Sequence, residues 1–123
     1  MIDIRDMLGK PYKTGGRGPD NYDCYGCFIE VMRRYGKEFP DFLYDELTAE
    51  LEARLVHTRK ALVHAEKISE PKEGVAVVFF VAGLPRHVGV CVDAFQFIHC
   101  GRYGVRIEDL SFWSKRIEGF YTW

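Results

Sequence analysis

Two cysteines and two histidines are placed where they could do chemistry. Cys24 follows a glycine-rich stretch, Gly15-Gly16-Arg17-Gly18-Pro19-Asp20-Asn21-Tyr22-Asp23, and opens a segment of helical periodicity. A thiol in the first turn of a helix faces unpaired backbone N–H groups and the positive end of the helix dipole, which favour a thiolate. Such placement lowers a cysteine pKa into the physiological range, so the expectation here is a reactive nucleophile. A thiolate nucleophile needs a general base, and that base needs a third group to fix its tautomer. His87 opens a strand-like run, Arg86-His87-Val88-Gly89-Val90, and His99 lies on the next, Phe97-Ile98-His99-Cys100. In a hairpin turning at Asp93-Ala94, His87 and His99 fall opposite each other on one face. Cys24, His87 and His99 are therefore the candidate triad. His57 and His64 sit among Arg and Lys residues and read as solvent-facing.

Two other chemistries use the same residues. Cys24-Tyr25-Gly26-Cys27 is a C-x-x-C at a helix start, the way a thiol–disulfide oxidoreductase presents its dithiol. That motif normally follows a βαβ unit, which is missing here, and it leaves the histidine pair unexplained. Cys24, Cys27, His87 and His99 would also supply four tetrahedral zinc ligands, but the spacing of the histidines matches no standard zinc motif. The expectation is no metal and no cofactor. Cys91 and Cys100 lie in apolar runs and read as small buried hydrophobes.

The elements that must position these groups are legible in outline. Cys27, Phe28, Val31, Met32 and Tyr35 keep a helical rhythm until Gly36. A second helical stretch starts near Phe42, with Leu43, Leu47, Leu51 and Leu55 at four-residue steps. The segment 57–68 reads equally as helix or strand. After Pro71-Lys72-Glu73-Gly74 the chain reads as sheet: Val75–Val81, His87–Val92, Phe95–Cys100, Val105–Ile107 and Lys115–Tyr121, with a turn at Gly83-Leu84-Pro85. Helices first and an antiparallel meander afterwards make an α+β domain. At 123 residues the chain suits one domain, and 47% hydrophobic with 28% charged residues excludes a disordered polymer. A net charge of −1 gives no basic footprint for nucleic acid. No apolar run is long enough to span a bilayer or serve as a signal peptide. The expected site of synthesis and residence is therefore the cytoplasm.

The ordered blocks Pro11-Tyr12-Lys13-Thr14-Gly15-Gly16, Asp23-Cys24-Tyr25-Gly26, His87-Val88-Gly89-Val90, Phe97-Ile98-His99 and Val105-Arg106-Ile107-Glu108-Asp109-Leu110 resemble the NlpC-type cell-wall cysteine peptidases. The resemblance implies one peptidase domain over 1–123 with a papain-like fold, its N-terminal helices packed on the antiparallel meander. It makes Cys24 the nucleophile, His87 the base and His99 the orienting third member. Tyr12 and Asp23 match family residues at the substrate: Tyr12 at the oxyanion or substrate, Asp23 at the free amine of a stem peptide. Asp23 is also a strong helix N-cap type, and the two roles are compatible. Tyr25 stands where the family usually has serine, placing a phenol near the cleft, and Gly74-Val75 replaces the usual Gly-Asp. The implied substrate is a peptidoglycan stem peptide cut at the γ-D-glutamyl–diamino acid bond, with acyl transfer to an amine as the related alternative. Tyr25 is similar to what phage- or prophage-encoded members carry, so a phage tail component or a secretion apparatus is the implied carrier to the wall.

Overall fold

A computed structural model of the chain describes residues 2–41 and 50–123. Helix α1 spans Cys24–Arg34. Asp23 caps it, its carboxylate accepting from the Gly26 amide at 2.7 Å, and Arg33 and Arg34 lie in the last turn where the dipole favours cations. Cys27, Phe28, Val31 and Met32 all face the core, and Gly36 at φ 84° follows the end of the helix. Helix α2 spans Glu50–Ala61. The expected start near Phe42, with Leu43 and Leu47, lies outside the described residues. The segment left open at 57–68 divides: α2 runs to Ala61, and a short strand β1 covers Glu66–Ile68.

Strands β2 (Ala76–Val81), β3 (Leu84–Cys91), β4 (Gln96–Gly101) and β5 (Gly104–Asp109) form the expected antiparallel meander. β6 (Ile117–Thr122) does not extend it. A 3-10 helix over Leu110–Arg116, absent from the sequence reading, carries the chain back so that β6 pairs with β2. The sheet order is β1-β6-β2-β3-β4-β5. The physical cause is the second face of the sheet. Val77, Phe79, Cys91 and Phe97 form an apolar cluster there, closed by Leu110 and Trp113 from the 3-10 helix. Ala76, Val78, Val88, Val90, Ile98 and Cys100 face the other way, against α1. The β2 side chains alternate between two cores, each buried Val contributing about 1.5–3 kcal/mol.

β3 begins three residues earlier than expected. Ala82 (φ 50°) and Gly83 (φ 79°) make a two-residue turn between the paired Val81 and Leu84, so Leu84 and Pro85 belong to the strand. A register shift between Phe79 and Phe80 accompanies Pro85. The β3–β4 register pairs Val90 with Ile98 and Cys91 with Phe97. Continued along the strands, it puts Gly89, not His87, across from His99. That offset of two residues keeps both histidines on the same face, because side chains alternate with period two.

Candidate active site

Gly26 sets how closely the glycine-rich loop meets α1. A Cβ at Gly26 would lie well inside contact distance of the Gly16 carbonyl oxygen, so only glycine fits. Asp23 ties the same loop down: its carboxylate accepts from the Gly15 amide at 3.0 Å and from Arg17 Nη1 at 2.8 Å. Arg17 also pairs with Asp41, which links the loop to the segment after α1. Asp23 is fully buried, and these bonds make it the cap and the anchor of the loop. Tyr12, half-buried, lies bridged beside Tyr22, two residues before the thiol.

Cys24 is the first residue of α1, and its sulfur rests on the Val88 peptide. The Val88 amide donates to Sγ at 3.4 Å, and the Val88 carbonyl lies 3.7 Å from it. The thiol thus sits against the residue that follows His87. Gly89 allows β4 to lie close: a Cβ there would come 2.8 Å from the Ile98 carbonyl oxygen. His87 Nε2 and His99 Nδ1 are 2.7 Å apart, and His99 Nε2 meets Glu108 Oε2. Trp113 stands over both rings, its centroid 6.2 Å from that of His87 and 5.3 Å from that of His99. The remaining His87 nitrogen, Nδ1, lies 2.9 Å from Arg54 Nη2 on α2, and Arg54 Nε donates to the Arg86 carbonyl at 3.0 Å.

These contacts fix the tautomers. A guanidinium only donates, so His87 Nδ1 accepts and Nε2 carries the proton. His87 Nε2–H then donates to His99 Nδ1, and His99 Nε2–H donates to Glu108. Burial drives both imidazoles below their ordinary pKa, His87 furthest, with Glu108 pulling the other way on His99. Cys24 departs from the sequence expectation. Burial raises its pKa, outweighing the lowering by Arg54 and the Val88 amide. With 2% of Cys24 and 3% of His87 exposed, the dipole argument is overridden by desolvation, and the pair rests as neutral thiol and neutral imidazole.

The structure brings Cys24, His87 and His99 into one site and adds three residues that sequence reasoning missed as site members: Arg54, Glu108 and Trp113. Glu108 had a signal, since Arg106 and Glu108 alternate on the strand beside His99. Arg54 and Trp113 had none, because only the tertiary placement of α2 and of the 3-10 helix brings them in. Tyr25 is buried, its ring stacked on His57 at 4.5 Å and its hydroxyl donating to the Pro40 carbonyl at 2.6 Å. His57 is therefore not solvent-facing: α2 packs it onto Tyr25, while His64, beyond the helix, is exposed. Cys27, Cys91 and Cys100 are free and buried, and burial raises all three thiols. Cys27 packs into the core on the inner side of α1, which disfavours a working dithiol with Cys24. Among the described residues no group of His, Cys, Asp and Glu is arranged to hold a metal ion, and no helix is long and apolar enough to cross a membrane. A cavity of about 530 Å³ adjoins His99, Glu108 and Trp113 and is ringed by Arg102, Arg106 and Arg116.

Over 123 residues the chain is 28% identical to the probable peptidoglycan endopeptidase LytE of Bacillus subtilis, covering 97% of this chain and 32% of LytE. It is 30% identical to the probable endopeptidase p60 of Listeria welshimeri, covering 98% of this chain and 21% of p60. With the murein DD-endopeptidase MepS/murein LD-carboxypeptidase of Escherichia coli it shares 26% identity over 94% of this chain and 57% of that protein. The chain thus spans between about a fifth and just over half of these relatives. Among solved structures, NlpC2 from Trichomonas vaginalis superposes with a TM-score of 0.70 at 20% identity, over 95% of this chain and 44% of that one. The NlpC/p60 domain of the peptidoglycan hydrolase SagA gives 0.64 at 19% identity, over 94% and 88%. These likenesses establish a papain-like α+β fold. The NlpC/P60 family model matches residues 9–122, nearly the whole chain, and the chain belongs to the NlpC/P60 family.

Proposed function

We propose that this domain is a cysteine peptidase that hydrolyses an amide bond in peptidoglycan stem peptides, the bond between γ-D-glutamate and the following diamino acid. The observation that carries the reading is the thiol of Cys24, at the start of α1 and against the peptide after His87, with His87 bonded through His99 to Glu108. The names of the relatives, peptidoglycan endopeptidases among them, support the substrate class.

In this mechanism the Cys24 proton passes to His87 Nδ1 as sulfur attacks the scissile carbonyl carbon. The first-turn amides of Cys24 and Tyr25, which have no intrahelical acceptor, receive the oxyanion, with the Tyr12 hydroxyl beside them. The C–N bond breaks as His87 returns the proton to the leaving amine, leaving a thioester. Water then gives a proton to His87 and its oxygen to the carbonyl, and the acid and the Cys24 thiol are released. Each step puts transient positive charge on His87, which His99 and the Glu108 carboxylate stabilise. The arginine-ringed cavity beside His99 suits the anionic remainder of a stem peptide. Mass spectrometry of defined muropeptides after incubation tests the proposal. Wild type yields fragments cut after γ-D-glutamate, and Cys24→Ala yields none. Cleavage by both proteins, or by neither, refutes it.

A further inference from the structure

For His87 to take the thiol proton, its Nδ1 must be open, yet the Arg54 guanidinium holds that nitrogen at 2.9 Å. Its Nε is spent on the Arg86 carbonyl. A permanent cation therefore occupies the accepting nitrogen of the base, and its partners among the described residues are a neutral ring and a carbonyl. Every other described arginine that is half-buried or buried has a carboxylate: Arg17 has Asp23 and Asp41, Arg34 has Asp6 and Glu30, and Arg86 has Glu52. A guanidinium binds a carboxylate more strongly than it binds a neutral acceptor, and in bidentate geometry.

We propose that Arg54 is the substrate's carboxylate clamp, and that engaging the carboxylate of the acyl residue draws it off His87 Nδ1 and frees the base. The inference rests on the peptidase reading above and specifies its substrate. In a γ-glutamyl bond the α-carboxylate is carried by the residue that acylates Cys24, so it enters the site on the acyl side, a short carbon chain away from the carbonyl that Cys24 attacks. Arg54 thereby couples recognition to activation: a substrate with no carboxylate there leaves the guanidinium on the base.

Two substrates that differ only in that group give the test. L-Ala-γ-D-Glu-diaminopimelate is compared with its α-carboxamide, for kcat/KM with wild-type protein and for binding to Cys24→Ala by calorimetry. The acid is expected to be at least tenfold better in both. In Arg54→Gln the preference collapses to near unity, with the loss falling on the acid. Equal turnover and binding of acid and amide by wild type overturns the clamp while leaving the peptidase reading standing. Failure of both peptides to bind or react overturns the peptidase reading, and the clamp with it. The wild-type comparison needs no variant to fold.

Discussion

Replacing Glu108 by glutamine removes one negative charge from the end of the His87–His99 relay and leaves an oxygen that still accepts from His99 Nε2. Orientation is kept and the electrostatic part is isolated. The two imidazole centroids are 4.9 Å apart, and Glu108 meets the far side of His99. A carboxylate roughly 8 Å from a developing imidazolium at an effective dielectric of about 20 stabilises it by about 2 kcal/mol. The Glu108 side chain is 29% exposed, and solvent screening lowers the figure to about 1–2 kcal/mol. The expected result is a kcat drop of about five- to thirtyfold with KM little changed. Steady-state kinetics on a muropeptide and a thermal melt of the same sample measure it. Glu108→Ala, which also strips the acceptor from His99, falls further in kcat. An unchanged kcat in Glu108→Gln, or a loss that tracks a collapse in Tm, refutes the argument that His87 becomes charged during turnover.

Further outcomes follow from the same contacts. Gly26→Ala drives a methyl into the Gly16 carbonyl, and denaturant titration should show a loss of about 1–3 kcal/mol together with activity. Tyr25→Phe keeps the ring on His57 and loses the hydroxyl bond to Pro40, costing about 1 kcal/mol, whereas Tyr25→Ala costs about 3–5 kcal/mol on the same titration. His87 and His99 are held neutral below their ordinary pKa, so the unfolded chain binds more protons in acid. Their contribution to stability is complete above about pH 6.5 and declines as pH falls below it, by up to about 1.4 kcal/mol per pH unit for each histidine. Melts between pH 8 and pH 5 read this directly, and flat melting temperatures would contradict it.

Much of the site was legible because its signals are local. A capping Asp23, the apolar rhythm from Cys27 to Met32 and the glycine loop place the thiol from sequence alone, since the hydrogen bonds involved span few residues. The two histidines were read onto one face correctly, although the register differs by two, because strand alternation preserves the face when an even offset occurs. What escaped depends on tertiary placement. The direction of the Cys24 pKa is set by burial in the folded core, which no helix-start pattern encodes. His57 looked like a surface residue among charged neighbours, and only the docking of α2 on Tyr25 shows that its side of the helix is covered. The return of β6 to β2 required the 3-10 helix, whose packing residues Leu110 and Trp113 are too few for a periodic signal.

The most direct test of the central claim is the intact mass of the protein quenched with acid during turnover of a muropeptide. The expected result is an adduct equal to the acyl half of the substrate, mapped to the peptide bearing Cys24 and discharged by hydroxylamine. Product formation with no adduct, paired with undiminished hydrolysis by Cys24→Ala, would contradict it.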